Sequence, residues 1–203
     1  MNAAFGPERL PPLPAHQLTP EQQAICASVR STPARAGLKG AGQQRLGGFI
    51  DALLRRPPVL RAALQLSDSL RVDALLPMRL KELAILCIAR HHDGHYAWAQ
   101  HETLAVRAGV PPPTVEAIRH NLRPDGMAND EAAVHDFVRE WLQHEFITDD
   151  TYLKLQSQLT DEAIAELMAV VGYFRMGVTI LNAARVALPE GAQPLPPRRV
   201  ARA

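Results

Sequence analysis

Residues 79–108 read RLKELAILCIARHHDGHYAWAQHETLAVRA. Apolar residues recur at helical spacing on both sides of Asp93-Gly94, which predicts two amphipathic helices joined by a short turn. At about 100° per residue, Glu82 shares a face with Arg79, Leu86 and Ala89, whereas Cys87 points away from it. In the second run His101 lines up with Ala97, Trp98, Leu104, Ala105 and Ala108. Packed as an antiparallel hairpin, the two helices bring an acid and an imidazole together among apolar neighbours. Two accounts of that pair stand at this point. A carboxylate that orients a histidine makes a proton relay usable near neutral pH. Alternatively, Glu82 pairs with Arg79 in the first turn, where the helix dipole favours negative charge, and His101 bonds a backbone carbonyl in the core.

The flanking sequence extends the helical pattern. Thr19-Pro20-Glu21-Gln22 supplies an N-cap, a proline at the first helical position and a capping-box glutamine, so a helix opens there and ends near Ser31. A glycine-rich loop is expected from Gly37 to Gly48, then short helices over 49–55 and 59–70, with Leu76-Pro77 as the joint before the hairpin. Beyond it, Gly109 and Pro111 to Pro113 stop the second hairpin helix. Further helices are expected over 114–120, from Asp130 as cap through Leu142, from Asp149, and from Thr160 or Asp161 towards Leu188. No run alternates long enough for a strand, so the class is all-α. A single helical domain over 19–188 sits between a proline-rich arm, 1–18, and a flexible tail, 189–203. The last long helix is apolar on more than one side, which places it centrally or against another subunit. A homo-oligomer (dimer, trimer or hexamer) is the more economical expectation.

Composition narrows the function classes. With 203 residues, 47% of them apolar, the chain can bury a substantial core. Its formal net charge is +1, and the positive residues are spread along the sequence. A phosphate backbone needs a continuous basic face, so nucleic acid is not an expected partner. Cys26 and Cys87 form no C-x-x-C pair, which fits reduced thiols in a cytoplasmic protein. Glu166, Arg175 and Arg185 interrupt the most apolar late stretch, so no membrane association is expected.

The segment LPMRLKELAILCIARHHDGHYAWAQHETLAVRAGV resembles the carboxymuconolactone decarboxylase family, whose superfamily includes the alkyl hydroperoxidase D peroxidases. LGGFIDALLRRPPVL before it, and DEAAVHDFVREWL and VVGYFRMGVTILNA after it, extend the resemblance over about residues 45–188. It implies the alkyl hydroperoxidase D-like fold built on a helical hairpin. Redox members carry a Glu, a C-x-x-C pair and a His within that hairpin. Glu82 and His101 match the first and last, while Gly94 and Ala97 stand at the cysteine positions. Ala97 also stands where decarboxylase members without the cysteines tend to carry a glutamate. A peroxidase cycle needs an attacking and a resolving thiol, which glycine and alanine cannot supply. The resemblance thus implies chemistry without thiols or a cofactor on a small acid or lactone. In it His101 is the acid, Glu82 its partner, and Arg79 or Arg90 the substrate anchor, with Tyr96 and Trp98 nearby in Y-x-W-x-x-H. Two rival readings remain: a thiol peroxidase using Cys87 or Cys26, and a non-catalytic helical module.

Other patterns have plainer explanations. His91-His92-Asp93-x-His95 lies at a helix end where side chains diverge, so no metal site is expected. Glu131, His135 and Arg139 at i, i+4 spacing suggest a solvated ladder. Gly47-Gly48 belongs to no phosphate-binding motif. Phe174 and Met176 are expected in the core.

Overall fold

The structure, a computed structural model, describes residues 6–32, 46–71 and 74–197. Most of the expected Gly37–Gly48 loop and the last residues of the tail lie outside these. Among the described residues there are nine α-helices and no strand: α1 (Pro20–Ser31), α2 (Gly48–Leu53), α3 (Pro57–Ser69), α4 (Met78–His91), α5 (His95–Arg107), α6 (Pro112–Arg119), α7 (Asn129–His144), α8 (Asp149–Gln156) and α9 (Asp161–Ala184). Sequence chemistry sets their ends. Thr19 forms the full capping box with Gln22, and Thr160 accepts the Ala163 N–H at 3.3 Å to open α9. Asp130 does not cap α7; that helix begins at Asn129, and the Glu131 carboxylate accepts the Ala128 N–H at 3.2 Å instead.

The hairpin α4–α5 forms the centre, with α7, α9 and α6 packed around α4. Leu80, Leu83, Leu86, Cys87, Ile88 and Ala89 have no exposed surface. Each large side chain so buried contributes about 1.5–3 kcal/mol, which explains why α4 is apolar almost all round. The central helix is therefore α4 rather than the last long helix. By length and composition α9 could cross a membrane, and 44% of its most apolar stretch is buried inside the protein. Its inner face packs on α4 and α2, while Met168 and Met176 stay 36% and 39% exposed. A smaller cluster of Ile25, Cys26, Val29, Ile50 and Leu60 joins α1, α2 and α3.

Both ends of the described chain are fastened to this body. The Arg9 N–H donates to Ala184 O at 2.8 Å, and Glu8 accepts the Ala187 N–H at 2.6 Å. Within the segment expected to be flexible, Leu195 is 4% exposed and part of the main core. Its N–H donates to His95 Nδ1 at 3.0 Å, and Arg90 Nη1 donates to Pro196 O at 2.9 Å. Burial, more than the opposing field of Asp93, holds the His95 imidazole below its ordinary range, with Arg90 adding to the effect. The ladder of Glu131, His135 and Arg139 is not solvated as its spacing suggests. Glu131 and His135 are 5% and 3% exposed, because Glu131 turns back to Ala128 and Arg79, and His135 Nδ1 lies 2.8 Å from Asp136 Oδ1.

One ion pair between a buried lysine and a partly buried glutamate ties three helices. Lys81 Nζ lies 2.9 Å from Glu166 Oε1 and also donates to Leu70 O. Glu166 Oε2 accepts the Leu75 and Leu76 N–H groups at 2.7 and 3.2 Å. Burial alone would raise this carboxyl, but the Lys81 ammonium and the two N–H donors outweigh it and hold it below its ordinary 4.5. The stabilisation is then complete above the unfolded value and is lost as pH falls through the depressed folded one. Glu166→Gln should cost about 1–3 kcal/mol near neutrality and flatten the acid limb of urea stability below about pH 5; an unchanged limb would refute the assignment.

Candidate active site

Glu82, in the second turn of α4, faces His101, in the second turn of α5. Glu82 Oε2 lies 2.8 Å from His101 Nδ1, and each residue is only 6% exposed. The alternative partner is absent from this arrangement: the Arg79 guanidinium reaches to Asp130 and to Glu131, the latter at 3.2 Å. With Nδ1–H donated to the carboxylate, Nε2 is the nitrogen left for chemistry. Phe174 of α9 meets the imidazole edge to face, ring centroids 5.2 Å apart.

His101 lines a cavity of about 60 Å³ whose walls come from α2, α3, α5 and α9. Phe49, Tyr96, Tyr173 and Phe174 add aromatic surface to an otherwise mostly aliphatic and glycine lining, with Gln100 and Arg71 among its polar groups. The Tyr96 hydroxyl accepts the Gly48 N–H at 2.7 Å, and the Asp51 carboxylate accepts the Leu46 and Gly47 N–H groups at 3.1 and 3.2 Å. This rim segment is held by side chains because its backbone donors precede a helix and have no partner within it.

The structure thus brings Glu82, His101 and Tyr96 together and leaves the other three expected site residues elsewhere. Arg79 is committed to the start of α7. Arg90 has no exposed surface and lies under the Pro194–Pro197 segment. Trp98 does not line the cavity; it donates Nε1–H to Glu102 at 3.0 Å beneath the Arg119 guanidinium. Sequence reading missed Gln100 and Phe174 as wall residues. Gln100 stands at i+4 from Tyr96, a signal that was available; Phe174 comes from a helix far along the chain.

Gly94 and Ala97 stand where the resemblance places thiols, and Gly94 has no room for one. Asp93 takes the left-handed turn conformation at φ 48°, so Gly94 is not required for it. A Cβ on Gly94 would lie 2.7 Å from Val178 Cγ1 and 3.3 Å from Ala89 O, so α9 occupies the space a side chain would need. Cys87 is fully buried on another side of α4, and burial pushes its thiol up to about 12. Cys26 belongs to the separate N-terminal cluster, where burial also raises it. Neither cysteine lines the cavity.

No protein-family model and no curated protein matches this sequence. Solved structures do. An uncharacterized peroxidase-related protein from Silicibacter sp. TM1040 matches with a TM-score of 0.73 at 16% identity, over 94% of this chain and 96% of that one. The alkylhydroperoxidase AhpD core of an uncharacterized peroxidase-related protein from Ralstonia eutropha JMP134 matches at 0.70 and 16%, over 91% and 94%. The debrominase Bmp8, as a cysteine-to-alanine variant in complex with 2,3,4-tribromopyrrole, matches at 0.63 and 16%, over 89% and 91%. This chain therefore has the AhpD-like all-helical fold.

Proposed function

We propose that this protein is an enzyme of carboxymuconolactone decarboxylase type that moves a proton through Glu82 and His101 on a small carboxylate or lactone, without thiol redox chemistry. The observation that carries this reading is the 2.8 Å Glu82–His101 contact at the wall of a mostly apolar cavity. In a decarboxylation, the bond to the leaving carboxylate breaks, carbon dioxide departs, and its electron pair passes into an enolate conjugated with the lactone. His101, entering this step as the imidazolium paired with the Glu82 carboxylate, then gives its Nε2 proton to the carbanion and is left as the neutral ring with Nδ1–H on Glu82. An apolar wall assists by stripping water from the leaving carboxylate. A small ring in the related debrominase complex supports a compact cyclic occupant. The filled Gly94 site and the inert Cys87 weigh against a thiol mechanism. The test is a panel of small acids and lactones followed by carbon dioxide release and lactone absorbance, run beside peroxide consumption. Turnover that persists in Cys26→Ser, Cys87→Ser supports the reading; peroxide consumption abolished by that double variant overturns it.

We also infer a homo-oligomer through the outer face of α9. Exposed Met168 and Met176 flank Gly172, where an added Cβ would meet nothing within 4 Å. Such a face lets another backbone approach closely. Sedimentation velocity should give a multiple of 22.3 kDa that Gly172→Arg reduces; a monomeric parent protein would end the inference.

A further inference from the structure

A relay needs its substrate held, and neither arginine beside it in sequence lines the cavity. Arg71 does, together with Ser67, Gln100 and His101. Among the described lining residues it alone carries a fixed charge; the remaining walls are apolar or neutral apart from the His101 imidazole. We propose that Arg71 anchors a substrate carboxylate in this cavity, an inference that rests on reading His101 as the proton-exchanging group.

The placement follows from the end of α3. Leu70 closes that helix, and the Arg71 N–H donates to Asp68 O at 3.0 Å, so the backbone beneath the side chain is fixed. On the far side of this turn, Leu70 O is held by Lys81. A guanidinium presents planar paired donors that match a carboxylate.

The anchor also says which part of the substrate reacts. A carboxylate gripped by a guanidinium is stabilised as an anion, and it forfeits that stabilisation as charge moves onto carbon. Such binding favours the ground state over the transition state for loss of that same carboxylate. The carboxylate on Arg71 is therefore a handle, and the group presented to His101 is a second one: a lactone, a ketone or another carboxylate.

Benzoate and benzamide, alike in shape and different in charge, test this by calorimetric titration of the full chain. Benzoate should bind about tenfold or more tightly than benzamide, and Arg71→Gln should bring the two within about twofold while leaving benzamide binding unchanged; Arg71→Lys should restore part of the preference. Equal affinities for the parent protein, a preference that survives Arg71→Gln, or no binding of either probe would each overturn the anchor. Imidazole NMR on the same samples reports on the relay separately. Bound benzoate that leaves the His101 resonances unmoved refutes the relay reading even where the Arg71 effect is present.

Discussion

His101→Gln should reduce turnover of the responsive acid or lactone by about 10²–10⁴-fold while leaving the protein folded. Glutamine can still donate an amide N–H towards Glu82, so the buried carboxylate keeps a partner, but it cannot exchange a proton with substrate. His101→Ala removes the partner as well, and an acceptor as buried as Glu82 then costs about 1–3 kcal/mol of stability. The two variants thus separate chemistry from packing: both are inactive and only alanine is clearly destabilised. Glu82→Gln should fall between, at about 10–10²-fold, the kinetic equivalent of one charge-assisted hydrogen bond. Rate measurements paired with urea midpoints check all three. Parent-level turnover in His101→Gln would remove the imidazole from the mechanism.

The Glu82–His101 pair was legible because it depends on short-range geometry. Helical periodicity locates both side chains, and a two-helix hairpin leaves few ways to pack them. The anchors were not legible. Arg79 shares the Glu82 face by angle, but its long side chain swings to the acidic first turn of α7, whose position no local pattern encodes. Arg90 was close in sequence and became a support for the chain around Pro196. Arg71 and Phe174 enter the cavity from α3's end and from α9, through tertiary packing alone. The i, i+4 spacing of Glu131 and His135 fits an exposed ladder as well as a buried one, and only the neighbouring helices decide between them. Low apolar content likewise suggests a loose tail, yet one buried leucine and two hydrogen bonds, from Leu195 N–H to His95 and from Arg90 to Pro196 O, seat the residues near Leu195.

Gly94→Ala should destabilise the protein by about 1–3 kcal/mol through overpacking, even though its backbone conformation is open to any L-residue. The new methyl would lie 2.7 Å from Val178 Cγ1, and Ala89 O at 3.3 Å blocks a shift the other way. Val178→Ala alone should also destabilise, by roughly 1–3 kcal/mol for the space it leaves. Combined, the two substitutions should recover part of the loss, because the methyl at position 94 occupies room that Val178 vacates. A double-mutant cycle by urea unfolding should therefore show a favourable coupling of about 0.5–3 kcal/mol; simple additivity would mean that α9 does not close this position. The point bears on chemistry as much as on packing. A thiol at position 94 needs a Cβ first, and α9 leaves no place for one. Introducing a cysteine pair at Gly94 and Ala97 should accordingly yield a stably folded protein only with Val178→Ala present. Glycine at the turn and valine on α9 are two halves of one packing arrangement, and neither described cysteine lines the cavity that His101 borders.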